Sequence, residues 1–272
     1  MKIRKILNNN AVIVIDHGQE KIAMGAGIGF NKQKNDMINK QKIEKLFVLK
    51  EYEKLQQLLE RIPEEHFSLS KDIIAYAERE LGTKLNDHIL VMLTDHLSFA
   101  IEREKEGIHV KNKLLQEIKI LYKQEFAIGL WAIDYIEQKL NIKMPIDEAA
   151  FIALHIHIMK PRGGDLRETV RQTTIVREMV EHIEDCLGIA LVEEDIAYER
   201  LVIHLNFALT RTNQYNNHSM DADMLEMIKM KYPLSHRCAQ TLADEVAAAH
   251  GIHLPEEELG YITLHIERLR QR

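Results

Sequence analysis

The sequence predicts an α+β chain of several domains: a small antiparallel β-sheet head followed by two tandem all-α helical bundles. Three observations carry that prediction. Short β-branched runs broken by turn residues are confined to the first fifty positions. Apolar residues recur at helical spacing through nearly all of the rest. An octapeptide occurs twice, as His96-Leu97-Ser98-Phe99-Ala100-Ile101-Glu102-Arg103 and as His204-Leu205-Asn206-Phe207-Ala208-Leu209-Thr210-Arg211.

The bulk numbers set the class. A chain of 272 residues, 46% hydrophobic, has room for two or three domains with real cores. Twelve Gly and five Pro are few, so most of the chain should be regular structure. Cys186 and Cys238 form no C-x-x-C motif, no early apolar run is long enough for a signal core, and no 18-residue apolar run exists. A soluble cytoplasmic protein with reduced thiols is expected. The net charge of −6 hides an asymmetry: residues 1–50 carry ten Lys/Arg against four Asp/Glu, and the remainder 26 against 38. A basic head can meet a polyanion, and the acidic body should not.

In the head, Lys2-Ile3-Arg4-Lys5-Ile6-Leu7 and Ala11-Val12-Ile13-Val14-Ile15 read as strands joined by the Asn8-Asn9-Asn10 turn. Asp16-His17-Gly18-Gln19 is a second turn, Lys21–Met24 a third strand and Lys45–Leu49 a fourth. Fifty residues make a poor core alone, so pairing with a second copy is expected. Gly25-x-Gly27-x-Gly29 is not a phosphate loop, because no helix pattern follows and neither nucleotide-loop spacing is present. Two readings stay open. The glycines let backbone approach an RNA, with Phe30 stacking on a base and the amides of Asn8 and Asn10 reading base edges. Alternatively they form an ordinary turn beside a core Phe and solvated lysines.

Residues 50–61 are charged with spaced leucines, as in a connecting helix that Pro63 ends. Helical spacing follows at Ile73, Ile74, Ala77 and Leu81, at Ile89 to Ile101, at Leu114 to Leu121, at Ile128 to Leu140 and at Ala149 to Met159. Pro161-Arg162-Gly163-Gly164-Asp165 breaks the pattern and marks a boundary. The pattern then restarts as a copy. His96 and His204 are 108 residues apart, and from Ile118 onward the offset is 110. Pro145-x-x-Glu148-x-x-Phe151-Ile152-x-Leu154-His155 matches Pro255-x-x-Glu258-x-x-Tyr261-Ile262-x-Leu264-His265. The body is thus a duplicated helical domain rather than a solenoid.

Of fourteen histidines, His96, His155, His204 and His265 recur in the duplication with like surroundings. They are either hydrogen-bonded core residues or functional ones. Metal binding is disfavoured, because i,i+2 positions such as His155 and His157 diverge on a helix and His157 is replaced by Glu267 in the second copy. No nucleophile–base arrangement points to an enzyme. A neutral imidazole is, however, a good nucleophile near pH 7. A phosphoryl group on it would add roughly −1.5 to −2 of charge by analogy with hydroxyl phosphates. Arg103 and Arg211, seven residues beyond the first histidines, are either phosphate clamps or solvated helix ends.

The head motifs Lys5, Asn8-Asn9-Asn10, Met24 to Phe30 and Ile43 to Phe47 resemble the co-antiterminator RNA-binding domain. The repeats, with Asp95-His96-Leu97, Ala153-Leu154-His155, Ile203-His204-Leu205 and Thr263-Leu264-His265, resemble phosphotransferase-system regulation domains. Jointly and in order, they resemble a transcription antiterminator of the BglG family. The resemblance implies a head at 1–56, a linker at 57–65, regulation domains at 66–162 and 168–272, and a linker at 163–167. It implies a homodimer that binds an mRNA stem-loop and prevents a terminator from forming at a sugar operon. RNA contacts would fall on Lys5, Asn8, Asn10, Gly25, Gly27 and Phe30, and Ala26 stands where some members carry Arg. Phosphorylation would fall on His96, His155, His204 and His265, with HPr and a sugar-specific enzyme II as donors. No cofactor, metal, catalytic residue or membrane insertion is implied. A DNA-binding or enzymatic regulator is the rival reading, but fifty strand-like residues leave no room for a helix-turn-helix or a catalytic domain.

Overall fold

The computed structural model describes residues 1–17, 19–48, 62–193, 195–211 and 220–271, so the connecting helix predicted at 50–61 lies outside the described residues. The head is a meander of four strands, β1 (Lys2–Asn8), β2 (Ala11–Asp16), β3 (Gln19–Met24) and β4 (Lys45–Val48), each antiparallel to the next. The asparagine triplet makes the first hairpin: Asn8 pairs with Ala11, and the Asn8 side chain accepts the Asn10 N–H at 2.8 Å. The second hairpin pairs Asp16 with Gln19, and His17 takes the left-handed φ of 49° that such tight turns require.

Alternation along β2 divides the sheet's two faces. Val12 and Val14 join Ile3, Ala23, Ile28 and Ile38 in one small core. Ala11, Ile13, Ile22 and Met24 point the other way and are buried as well. A sheet with one solvated face would leave that second set exposed.

By contacts the described chain forms two compact units. The first contains residues 1–110 and 127–163, so the head belongs with the first helical bundle. Its helices are α1 (Glu64–Leu81), α2 (Ile89–Lys105), most of α4 (Lys123–Leu140) and α5 (Ile146–Ile158). Ile73, Leu93, Leu97, Ile101, Ile136 and Ile152 are fully buried at the spacings the sequence announced. Gly129 lets α4 approach α5 closely, since a Cβ there would sit 2.1 Å from the Ala149 carbonyl oxygen. At the predicted break Gly164 turns the chain with φ of 80°. Asp165 then caps the next helix by accepting the Arg167 N–H.

The second unit contains residues 111–126 and 164–272. It holds α3 (Leu115–Leu121), α6 (Leu166–Leu187), α7 (Ile196–Arg211), α8 (Ala222–Lys231), α9 (Pro233–His250) and α10 (Glu256–Arg270). α3 and α8 are counterparts in the duplication, yet they pack differently. α8 lies on α9 and α10, where Leu225 and Ile228 meet Tyr232, Tyr261 and Leu264. α3 lies on α6 and α7 and adds Ile120 to their core. Its polar anchor is Glu117, fully buried, which accepts the Tyr198 hydroxyl at 2.8 Å and lies 3.5 Å from the Arg177 guanidinium. By contacts, residues 111–126 group with the second unit.

Removing one partner of a buried charged pair strands the other. Glu117→Ala should destabilise the second unit by about 3 kcal/mol, while Glu117→Gln, which still accepts from Tyr198, should cost clearly less. Urea unfolding of the two variants checks this; equal losses would contradict the part played by the Tyr198 hydrogen bond and leave the charge alone responsible.

Candidate nucleic-acid interface and paired histidines

The turn between β1 and β2 and the loop after β3 close on each other in the head. Gly25 N–H donates to the Asn10 carbonyl and Gly29 N–H to the Asn9 carbonyl, both at 2.9 Å. The Asn10 side-chain oxygen accepts the Gly27 N–H at 2.7 Å. Asn8, Asn10, Gly25 and Gly27 are thereby brought into one small region. Phe30 follows on the same loop, 60% exposed, a ring that an ordinary core phenylalanine would not present. Lys5 is exposed three residues before Asn8 on β1.

The three glycines do different things. A Cβ on Gly25 would fall 1.7 Å from the Lys42 carbonyl oxygen, and one on Gly29 would fall 2.5 Å from that of Asn8. Those two glycines serve close packing of backbone within the head. A Cβ on Gly27 would meet only the Phe30 Cβ at 3.9 Å, an ordinary contact, so its φ of 62° is what calls for glycine. Ala26 is exposed at the tip, and its N–H donates to Glu44 Oε1 at 3.1 Å. Sequence reasoning did not single out Glu64. The first residue of α1, it accepts hydrogen bonds from the side-chain amides of Asn9 at 3.0 Å and Asn10 at 2.9 Å.

In each helical bundle the duplicated histidines meet. His96 on α2 and His155 on α5 have ring centroids 4.8 Å apart. His204 on α7 and His265 on α10 have theirs 4.1 Å apart. The structure also answers what the conserved spacing of Arg103 and Arg211 does within the duplication. Arg103 Nη2 donates to Glu148 Oε1 at 2.7 Å, and Arg211 Nη1 to Glu258 Oε1 at 3.0 Å. Neither arginine is simply a solvated helix end. Glu148 also brings Oε2 within 3.0 Å of His96 Nε2, an ion-pair distance reached without hydrogen-bond alignment. Both glutamates were visible as a repeated Pro-x-x-Glu, but nothing local said what they touch.

Electrostatics act on the shared carboxylate and on three of the four imidazoles. Burial pushes Glu148 toward protonation, but His96 and Arg103 outweigh it and hold the carboxyl below the usual range. Burial, reinforced by His96, drives His155 down to about 4. Burial, with His204, Arg268 and Arg200, drives His265 to about 4. Burial also lowers His204. Imidazoles depressed in this way are neutral at pH 7 and keep a nucleophilic lone pair. His96, His155 and His265 are half-buried residues, with His96 Nε2 and His155 Nδ1 turned inward, and His204 is exposed. Asp95, beside His96, has an unpartnered buried oxygen and is raised by burial. His157 has no equivalent chemistry in the second copy: Glu267 accepts from Ser235, Arg270 and Gln271 there. Among the described residues no group of three or more His, Cys, Asp or Glu is arranged to hold a metal ion.

A histidine whose folded pKa is depressed takes up its proton more readily in the unfolded chain, so stability is lost as pH falls through that interval. Between pH 6.5 and about 4, where His155 and His265 titrate differently in the two states, stability should decline. The double variant His155→Gln, His265→Gln should decline less steeply over the same interval in a thermal-melting series. Parallel curves for both proteins would contradict the assignment.

Comparison with known proteins agrees with this geometry at both ends of the chain. Residues 1–56 match the CAT RNA binding domain, and residues 71–158 and 177–269 each match the PRD domain. The chain is 39% identical to the beta-glucoside operon antiterminator of Dickeya chrysanthemi, over 99% of this chain and 97% of that one. It is 38% identical to the transcription antiterminator LicT of Bacillus subtilis (strain 168), over 99% of each. The crystal structure of GlcT CAT-PRDI superposes with a TM-score of 0.52 at 34% identity, covering 59% of this chain and 98% of that chain. An RNA-binding head, two regulation domains and relatives that match from end to end place this chain in the BglG family of transcription antiterminators.

Proposed function

We propose that the chain works as a homodimer on the mRNA of a sugar-utilisation operon, where its head holds an antiterminator stem-loop and so prevents the terminator from forming. Lys5, Asn8, Asn10, Gly25, Gly27 and Phe30 form the RNA surface. The lysine meets phosphate, the Asn amides read acceptors and the exposed ring stacks on a base. Gly25 and Gly27 shape that surface rather than touch bases. Dimerisation would complete a head whose own apolar core is small. The site of action is cytoplasmic, on a nascent transcript, and among the described residues no helix is long and apolar enough to cross a membrane.

The observation that carries the regulatory half is the paired imidazoles, each pair in a bundle where a buried glutamate pairs with a partly exposed arginine. His96, His155, His204 and His265 accept phosphoryl groups from HPr and a sugar-specific enzyme II of the phosphotransferase system. From a phosphohistidine donor, the N–P bond breaks as the acceptor imidazole lone pair forms the new one; the acceptor ring gives up its N–H proton and the departing donor nitrogen takes one up, so that both rings end neutral. A phosphoryl group on His96 would bring roughly two negative charges against Glu148 and Asp95. Arg103 then has a stronger acceptor than Glu148, and the α2–α5 contact must rearrange. The same exchange is available to Arg211 and Glu258.

Asn10→Ala and Phe30→Ala should each weaken binding to an RNA stem-loop enriched by the wild-type chain from a random hairpin pool, by about tenfold. Gel shifts measure this, with unchanged thermal melting as the check on folding. Wild-type affinity in both variants would sink the RNA surface. Incubation with phosphorylated HPr or enzyme II should place acid-labile phosphate on the body. Replacing all four histidines by Ala should abolish it, and retained label would show that other residues accept the group.

A further inference from the structure

We propose that the first regulation domain carries a docking surface on which the head sits in a form closed to RNA, with Glu64 as the contact that competes with RNA for Asn10. The proposal rests on the RNA surface assigned above and adds what opposes it. Asn10 has two groups with which to read a ligand. Its oxygen is committed inside the head to the Gly27 N–H, which leaves the amide nitrogen. That nitrogen donates to Glu64 Oε1, while the neighbouring Asn9 amide donates to Glu64 Oε2. A carboxylate therefore occupies the position where a base acceptor or phosphate oxygen would arrive. It also presents negative charge to an approaching polyanion.

Two further ion pairs tie the head to the same domain. Lys71 on α1 pairs with Glu44, and Lys45 on β4 pairs with Asp87 at 2.7 Å. Glu44 is also the acceptor for the Ala26 N–H, so the glycine loop itself is part of the docked face.

The duplication supplies an independent observation. Lys71 and Arg177 occupy the same place in the two domains, each eleven residues before the glycine that ends its helix, Gly82 or Gly188. Arg177 also receives a carboxylate, that of Glu117 on α3. The same seat in each domain thus takes a carboxylate, from the head in the first and from α3 in the second. The two seats differ in how tightly they close. In the second, Glu117 is sealed from water and bonded to the Tyr198 hydroxyl, and Ile120 enters the core beside it. In the first, Leu90 stands where Tyr198 would be, and Leu90 cannot donate. The contacts there are exposed, and a cavity of about 450 Å³ remains between Met24, Glu44, Phe67, Lys71 and Ile74. The second seat is a permanent joint. The first has the loose, wet, charged character of a contact that can open.

The test uses the full chain and the stem-loop selected by the wild type. Glu64→Ala should bind that RNA about tenfold more tightly than the wild type, the scale of an ordinary coupling between sites. In a Cys186→Ser background, Asn9→Cys with Glu64→Cys should be bridged by a short, reducible bis-thiosulfonate reagent, whose span replaces the lost length of the Asn and Glu side chains. RNA binding should fall at least tenfold in the bridged form and return on reduction. Equal affinities for wild type and Glu64→Ala, or for the bridged and reduced forms, overturn the proposal, as does failure of the two cysteines to be bridged. Asn10→Ala separates the two readings. If it loses RNA affinity while Glu64→Ala leaves affinity unchanged, the docking surface falls and the RNA surface stands. If the wild type selects no stem-loop, both fall.

Discussion

Each regulation domain depends on a carboxylate removed from water between two helices. Glu148, in the first turn of α5, is 1% exposed, and it is tolerable there only because Arg103 and His96 reach it from α2. That requirement sets the register at which α2 and α5 meet. His155 lies seven residues beyond Glu148, two turns along the same face, so the register that satisfies the carboxylate also lays His155 against His96. The second domain repeats the construction with Glu258, Arg211, His204 and His265. The imidazole pair is a consequence of the ion pair, which is why a charge added to one ring acts on the helix contact as a whole.

Duplication preserved positions while their chemistry drifted. The first helix of each bundle bonds the second through a side-chain pair: His66 with Ser98 at 3.1 Å in one, Gln172 with Asn206 at 2.9 Å in the other. The first pair is buried and the second half-buried, and neither chemistry is dictated by the fold. The cation seat drifted further, from Lys71 with an exposed acid of the head to Arg177 with a buried acid of α3. A planar guanidinium holds several acceptors at once, and Arg177 also reaches Glu181 and Glu193. A lysine is a point charge on a flexible stem and makes a weaker, reversible joint. The two domains have in this way become unequal: one seat secures the packing and the other accepts a module that must also meet RNA.

The strands of the head and the helices of the body were legible because their periods of 2.0 and 3.6 follow directly from which residues are apolar. The repeated octapeptide and its downstream His companions exposed the duplication by identity alone, and with it the four histidines. The turn asparagines were legible too, since Asx side chains bond their own backbone. Other features were hidden in contacts between residues far apart in the chain. Glu148 and Glu258 look like ordinary helix-start carboxylates until Arg103 and Arg211, nearly fifty residues earlier, are seen against them. Gly25 and Gly29 look like ligand-approach glycines until Lys42 and Asn8 backbone is found where a Cβ would go.

By itself the sequence determined the order of sheet head and helical repeats, the basic and acidic halves, the family, and which histidines correspond. Those properties are carried by local composition, short-range periodicity and internal identity. The tertiary structure alone decided that α3 packs with α6 and α7 while its counterpart α8 packs on α9 and α10. It also decided that a glutamate binds each arginine, that Glu148 reaches His96 as well, and that Glu64 holds the amide of Asn10. The physical reason is the same in each case. A buried or competing charge is defined by what surrounds it, and for these residues the surroundings come from distant parts of the chain.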